Sequence, residues 1–218
     1  GTGEINLPLT LWVPNTLTLG AEWESERLND PASMSATSAA DGVINGVSGD
    51  PAGRSSKNSA ETSAFYIEDN IEALAGTFII PGLRLDYHNK FGTNWSPSLN
   101  VSQDLGDMFK LKAGIARAYK SPNLYQSSEG YLLATRGNGC PNTIASGSCY
   151  LLGNPDLDPE ISINKEIGLE FNHNGFVAGI TYFRNDYKNK IVSGTNVLGV
   201  TSNNYNILQW ENLSLIHI

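Results

Sequence analysis

The feature that most constrains this chain is a period of two. Across Thr16–Glu24, the residues Leu17, Leu19, Ala21 and Trp23 share one face, and Thr16, Thr18, Gly20, Glu22 and Glu24 share the other. Leu83, Leu85 and Tyr87 oppose Arg84, Asp86 and His88 in the same way, and Phe109, Leu111, Ala113 and Ile115 oppose Lys110, Lys112 and Gly114. The pattern returns in Ile163, Ile167, Leu169 and Phe171 against Asn164, Glu166, Gly168 and Glu170, and again in Phe176, Ala178, Ile180 and Tyr182. Successive side chains of a strand point to opposite faces, so each segment has one apolar and one polar side. No period of 3.6 persists beyond two turns. The chain reads as all-β.

The connections come in two kinds. Short turns are expected at Pro14-Asn15, Glu72 to Gly76, Leu105-Gly106-Asp107 and His173-Asn174-Gly175, where Asn-Gly and similar pairs supply positive φ. Longer links alternate with them: 34 residues from Arg27 to Ala60, 40 from Ser121 to Glu160, and shorter ones over Asn189–Asn204 and His88–Asn94. Compact soluble domains rarely carry structureless loops beyond about 15 residues. Short turns on one side, long loops on the other and strands apolar on one face point to an antiparallel up-and-down meander of an outer-membrane β-barrel. Trp12, Trp23, Trp95, Tyr87, Tyr182 and Phe183 sit near strand ends, where aromatic girdles belong. A soluble β-sandwich also alternates. Against it stand charges deep within the strands, such as Glu22, Arg84, Lys112 and Glu166, and the gathering of long loops at one end.

Composition removes other classes. No run of 18 apolar residues exists, so no membrane-spanning helix is expected. Acidic groups outnumber basic ones 22 to 14, and the cations are scattered, which argues against nucleic acid. With 9% aromatic and 17% charged residues the chain is not disordered. It opens Gly1-Thr2-Gly3 without Met or a signal-peptide pattern, so an excised or processed piece is expected. Cys140 and Cys149 lie close together in a Gly/Ser/Asn-rich stretch. They read as a local disulfide and an oxidising compartment, with two free thiols as the duller alternative. No CxxC or His cluster accompanies them, so a zinc site is not expected. His88 and His173 lie in unrelated turns without a nucleophile at fixed spacing, so no enzyme is expected.

Three stretches carry a family resemblance: Asn94-Trp95-Ser96-Pro97-Ser98-Leu99-Asn100; LKAGIARAYKSPNLYQ from Leu111 to Gln126; and ISINKEIGLEFNHNGFVAGITYFRNDYKNK from Ile161 to Lys190. With these the chain resembles the TonB-dependent outer-membrane siderophore receptors, most nearly those for ferric enterobactin. The resemblance is strong from about Phe65 to Trp210 and weaker over Gly1–Ala60. ARAYK-P-LYQ and NKEIGLEF are specific together, whereas FRNDYKNKI occurs more broadly in such barrels. The resemblance implies a TonB box and plug followed by a barrel of about 22 strands. Residues 1–212 would then be an internal section of about eight strands with long extracellular loops, open and not a sealed small barrel. Residues 213–218, LSLIHI, depart from the family and are expected to be a non-native read-through tail.

The same resemblance implies a function and a site. The receptor would sit in the outer membrane of a Gram-negative bacterium, bind a ferric catecholate siderophore and import it with TonB-derived energy. Its partners would be the siderophore, the TonB–ExbB–ExbD system acting through the plug, and outer-membrane lipid and lipopolysaccharide. It would hold no cofactor, iron entering only within the bound complex. A TonB-dependent transporter or porin for a non-iron substrate is the alternative.

A large anion with aromatic faces needs cations, amides and aromatic rings. The Ser121–Glu160 loop offers Tyr125, Gln126, Tyr131, Arg136, Asn138 and Tyr150. Arg136-Gly137-Asn138-Gly139-Cys140 matches a basic-Gly-amide-Gly-Cys motif of the family, whose basic and amide residues are implied to contact ligand. A Cys140–Cys149 bridge would order that loop tip. Duller roles stand beside these. Tyr125 suits a girdle, and Arg117 and Lys120 suit lipopolysaccharide phosphates. Glu166, Glu170, Lys112 and Arg84 suit charge pairs on the lumen wall. Asp156, Asp158 and Glu160 lack the oxygen-ligand spacing of a calcium loop.

Overall fold

The structure is a computed structural model that describes residues 1–10, 13–30, 43–44, 47–48, 57–128, 131–135, 140, 149–200 and 206–217. In chain order the elements are β1 (Thr2–Thr10), β2 (Pro14–Asn29), β3 (Val43–Ile44), β4 (Val47–Ser48), β5 (Lys57–Leu74), β6 (Thr77–His88), β7 (Gly92–Leu105) and β8 (Phe109–Lys120). A short helix α1 (Leu124–Ser127) follows, then β9 (Leu132–Thr135), β10 (Cys149–Leu152), β11 (Glu160–His173), β12 (Phe176–Ser193), β13 (Gly199–Val200) and β14 (Asn206–His217).

The wall is a meander in which each long strand lies beside the previous one: β1-β2-β5-β6-β7-β8-β11-β12-β14. The pairing along this path is antiparallel throughout, and among the described residues β1 and β14 do not meet, so the sheet is open. The expected count of about eight becomes nine. Residues 213–217 continue β14, with Leu213, Leu215 and His217 opposite Lys190, Lys188 and Asp186 of β12.

The turns separate as the sequence suggests. Asn174 and Gly175 join β11 to β12 with φ of 50° and 80°, the left-handed pair of a two-residue hairpin that Asn-Gly adopts readily. The longer links are shorter than expected. Arg27, Leu28 and Asn29 pair with Ser59, Asn58 and Lys57, extending β2 and β5 well into the proposed 27–60 loop. His88 pairs with Gly92, so the link after β6 is a tight turn and not a loop. In both places the backbone ladder continues after the apolar alternation has ended.

Cross-strand rows establish the faces. Val101, Ala113, Ile167 and Tyr182 are direct partners across β7, β8, β11 and β12, and Gln103, Leu111, Leu169 and Ile180 form the row below. On the other half, Leu19, Ile67, Leu83 and Pro97 align. The large apolar members of these rows are exposed, as a lipid-facing surface requires. Trp23, Tyr87, Trp95 and Tyr182 are all exposed on this face; Trp23 and Tyr87 share a row through Ser63, whereas Tyr182 sits lower, in the row of Val101 and Ile167. Phe183 is not part of the expected girdle. It pairs with Glu166 and lines the opposite, inner face, because neighbours on a strand cannot share a side. Trp12 lies outside the described residues.

The inner face carries the charges. Arg84 donates to Glu22 at 2.8 Å and to Asp86 at 3.0 Å, Lys112 meets Glu170 at 3.0 Å, and Lys110 lies 3.8 Å from Asp104. Three of the four expected lumen-wall charges are thus in ion pairs. Glu166 has a different place: with Asn100 it overhangs Gly114, beside a hollow of about 400 Å³ that Phe183 and Asn185 also line. Ion pairs this exposed add little stability, so the wall rests on its backbone ladder and on the fit of its outer face to lipid.

Candidate functional site

The buried apolar clusters gather at the loop end of the sheet. After β8 the chain turns through Asn123 into α1. Asn123 Oδ1 accepts from the Gln126 amide at 2.9 Å, and the Gln126 side-chain oxygen accepts from the Asn123 amide at 3.1 Å. This reciprocal pair satisfies two donors that a helix start leaves open. It also commits the Gln126 side chain to holding the turn.

Tyr131 is the anchor of this region. It is 0% exposed, clusters with Leu28, Ala60 and Leu124, and stacks edge-on against Tyr125 with ring centres 5.4 Å apart. Its hydroxyl donates to Asp30 Oδ2 at 2.8 Å. A buried tyrosine needs such a partner for its polar end. The ring therefore fastens the 121–160 segment to the upper ends of β2 and β5. As placed, Tyr131 is inside the packing and not on a surface a ligand reaches. Tyr125, at 41% exposure, presents its ring outwards.

Beyond Tyr131 the segment builds a small sheet. β9 pairs antiparallel with β10, and β10 pairs parallel with Asn206–Gln209, the upper part of β14. Two clusters lie on its faces. Cys149, Leu151 and Leu208 pack with Cys140 and Trp210; Leu132, Leu152 and Ile207 pack with Tyr150 and Leu198. Tyr150 is thus half-buried on the second cluster, while Tyr125 sits on α1 in contact with the Tyr131 ring. The two arms are laced together: the Gly153 amide donates to the Tyr131 carbonyl at 2.8 Å and the Asn154 amide to the Gln126 carbonyl at 2.7 Å. Gly153 is required here, since a Cβ on it would lie 1.8 Å from the Ser128 carbonyl oxygen.

Cys140 and Cys149 form a disulfide, with Cα atoms 5.9 Å apart. Thr135, the last residue of β9, also pairs with Cys149. Both flanks of the Arg136–Gly139 motif are therefore tied to one residue of the cap. Arg136 and Asn138 themselves lie outside the described residues. Nearby, the acidic turn is closed by hydrogen bonds: the Asp156 amide donates to Asn154 and the Asp158 amide to Asn212. Among the described residues no group of three or more His, Cys, Asp or Glu is arranged to hold a metal ion.

At the loop-side end of β6, His88 is 3% exposed. Its Nδ1 accepts from the Lys90 amide at 3.0 Å, and its ring tilts against Phe91. Burial first, and the Lys90 charge second, push the imidazole below its ordinary range and favour the neutral form. Arg117, a candidate for lipid phosphate, donates to the Trp95 carbonyl.

The sequence pattern marked the loop but missed Asp30, Leu28 and Ala60 as its supports. Asp30 and Leu28 lie about a hundred residues before Tyr131 and Ala60 about seventy, in a stretch whose alternation had faded. Leu28 opposite Asn58 was the available signal, visible only once the strand register is known.

Comparison with known proteins places this architecture. Residues 1–214 match the family described as TonB dependent receptor-like, beta-barrel. The chain is 58% identical, over 97% of its length, to the ferric enterobactin receptor PirA of Pseudomonas aeruginosa, of which it spans 28%. It superposes on the crystal structure of the siderophore receptor PirA from the same species with a TM-score of 0.86 at 55% identity, covering 99% of this chain and 37% of that one. A second ferric enterobactin receptor from this species has been solved with enterobactin as a variant with one glutamine changed to alanine, at a TM-score of 0.82 and 50% identity, covering 99% and 31%. An arginine two positions before that glutamine was changed to alanine in a further complex. The chain spans less than a third of the curated relatives it matches. An open antiparallel meander with an apolar outer face, charges within and a cap of folded loop belongs to the TonB-dependent receptor β-barrel family.

Proposed function

We propose that this wall section and its cap serve a receptor that captures a ferric catecholate siderophore and passes it through the outer membrane. The observation that carries this reading is the anchored motif. Arg136 and Asn138 lie between Thr135 and Cys140, both tied to Cys149. They repeat the spacing and chemistry of the arginine and glutamine altered in the enterobactin complexes of the relative. A guanidinium gives permanent charge and a planar stacking face, and an amide offers both donor and acceptor. Tyr125 adds an exposed ring, and Tyr150, half-buried on the cap, and Gln126, which holds the α1 turn, are further contacts in this reading. Tyr131 acts in this reading by positioning Tyr125.

Membership of the family supports the remainder of this reading. Transport draws on the TonB–ExbB–ExbD system through a plug, and the chain performs no covalent chemistry. It holds no cofactor of its own, and iron passes as cargo.

The test uses the complete receptor. Arg136→Ala and Asn138→Ala are titrated with ferric enterobactin by quenching of intrinsic fluorescence. Loss of one charge-assisted hydrogen bond is worth about 1.5–3 kcal/mol, so the arginine variant should bind roughly 10- to 150-fold more weakly. Unchanged affinity in both variants overturns the assignment.

A further inference from the structure

Where the cap meets the wall, one side chain holds three segments together. Asn212 Oδ1 accepts from the Asp158 amide at 2.8 Å. Its Nδ2 donates to the Asp158 carbonyl at 3.0 Å and to the Asn189 carbonyl at 2.7 Å. A carboxamide has one oxygen and two N–H donors, and all are engaged here. Asn212 belongs to β14, Asn189 to β12, and Asp158 to the arm that leads from β10 into β11. The Glu160 carboxylate fastens the end of this arm a second time, accepting from the Ile191 amide of β12 at 2.8 Å.

Asn189 has an unusual backbone for a strand residue. Its φ is 58°, and the other non-glycine residue with positive φ among the described residues is Asn174, in a turn. It follows Lys188, whose pairing with Ile161 ends the contact of β12 with β11. Lys188 pairs with Leu215 and Lys190 with Leu213, so the register against β14 is the same on both sides and no residue is inserted. Left-handed backbone inside a strand persists where its surroundings hold it, and such outliers gather at functional positions. Here the Asn212 amide holds the carbonyl of the outlier and the cap arm at once.

The arm carries this attachment into the cap. The Asn154 amide donates to the Gln126 carbonyl at 2.7 Å, and the Asn154 side chain donates to the Trp210 carbonyl at 3.0 Å. From Gly153 the arm runs back into β10 and Cys149, to which both flanks of Arg136–Gly139 are tied. We propose that Asn212 is a positioning residue for the ligand site. It sets the arm against the wall at Asp158, and through β10 it sets the motif. The inference rests on the siderophore reading and adds to it a residue that acts through Asp158.

The test uses the complete receptor, with ferric enterobactin binding read by fluorescence quenching and folding read by heat-modifiable mobility. Residues that act on a site through the fold shift its affinity by roughly 3- to 30-fold, so Asn212→Ala should bind that much more weakly and remain heat-modifiable. A merely structural loss would weaken binding alike in any background, whereas positioning predicts coupling. With Arg136 and Asn138 both alanine, Asn212→Ala should weaken binding by less than about twofold. Asn189→Val, which resists left-handed backbone, should bind like Asn212→Ala, and Asn189→Gly, which accepts it, should restore binding. Weakened binding in Arg136→Ala beside parental affinity in Asn212→Ala overturns this inference alone. Parental affinity in both Arg136→Ala and Asn138→Ala overturns the siderophore reading and the inference with it. An equal loss from Asn212→Ala with and without the motif overturns the inference, as does equal affinity in Asn189→Val and Asn189→Gly. If Asn212→Ala forms no heat-modifiable barrel, the isosteric Asn212→Asp, which lacks both donors, decides by the same criteria.

Discussion

In the wall, Ile180 and Tyr182 stand 74% and 68% exposed; in the cap, Leu151, Ile207 and Leu208 are at most 1% exposed. One strand serves both regions. The upper end of β14, Asn206–Gln209, is a parallel partner of β10 within the cap, and the same strand from Trp210 on is an antiparallel partner of β12 in the wall. The difference lies in the solvent each part meets. A wall in lipid has no need to bury its apolar side chains from water, but every backbone donor and acceptor within the hydrocarbon must be paired. The cap projects into water and folds by packing, with a tyrosine at its centre and a disulfide at its edge. Binding groups mounted on such a cap lose less freedom when ligand arrives than groups on an unsupported loop.

The largest test of this contrast is the anchor of the cap. Tyr131→Ala in the complete receptor should cost the cap about 3–5 kcal/mol, the range for removing a buried aromatic ring. Hydrogen exchange should accelerate across Leu124–Thr135 and Cys149–Leu152 while β6–β8 keep their protection. Tyr131→Phe removes only the bond to Asp30 and should cost about 0.5–1.5 kcal/mol. Unchanged cap protection in Tyr131→Ala would show that the cap does not depend on this packing.

Next comes the wall. Ile180→Arg places a charge on the lipid face and should destabilise the barrel in vesicles by about 2–4 kcal/mol near the midplane. Val177→Arg, on the inner face of the same strand, should cost far less. Equal costs in a urea titration would break the assignment of faces.

The disulfide ranks third. Cys140 and Cys149 close a short ring, worth somewhat under about 3 kcal/mol of loop constraint. Changing both to Ser should weaken siderophore binding and leave the heat-modifiable mobility of the barrel unchanged. Full affinity without the bridge would show that strand pairing alone orders the motif.

The smallest effect is at His88. Its folded-state titration is depressed, so the neutral ring is favoured by folding. The contribution is present above the unfolded value of about 6.5 and is lost as pH falls through the depressed folded value. Exchange protection of the β6–β7 turn should therefore fall from pH 8 to pH 5, and His88→Gln should flatten that profile. A parental profile in the variant would assign the pH response to another group.

Much of the wall was legible because its rule is local. A strand shows its two faces residue by residue, so Leu169 and Glu170 declare opposite sides without any partner being known. Asn174-Gly175 declares its turn for an equally local reason. The cap was only partly legible. Its motif and cysteines stand out in the chain, but Tyr131 reads as a ligand contact until Asp30 and Leu28 are seen around it.

The amino-acid sequence by itself determined the strand period, the alternation of short turns with long links, the face that meets lipid and the family. Each follows from neighbouring side chains and backbone preferences. Tertiary structure decided which residues the long links bring together: Tyr131 on Asp30, β10 on β14, Asn212 on Asp158. Those contacts join residues from about fifty to a hundred positions apart. Their formation depends on register and on burial gained only after the sheet has assembled, which no local pattern encodes.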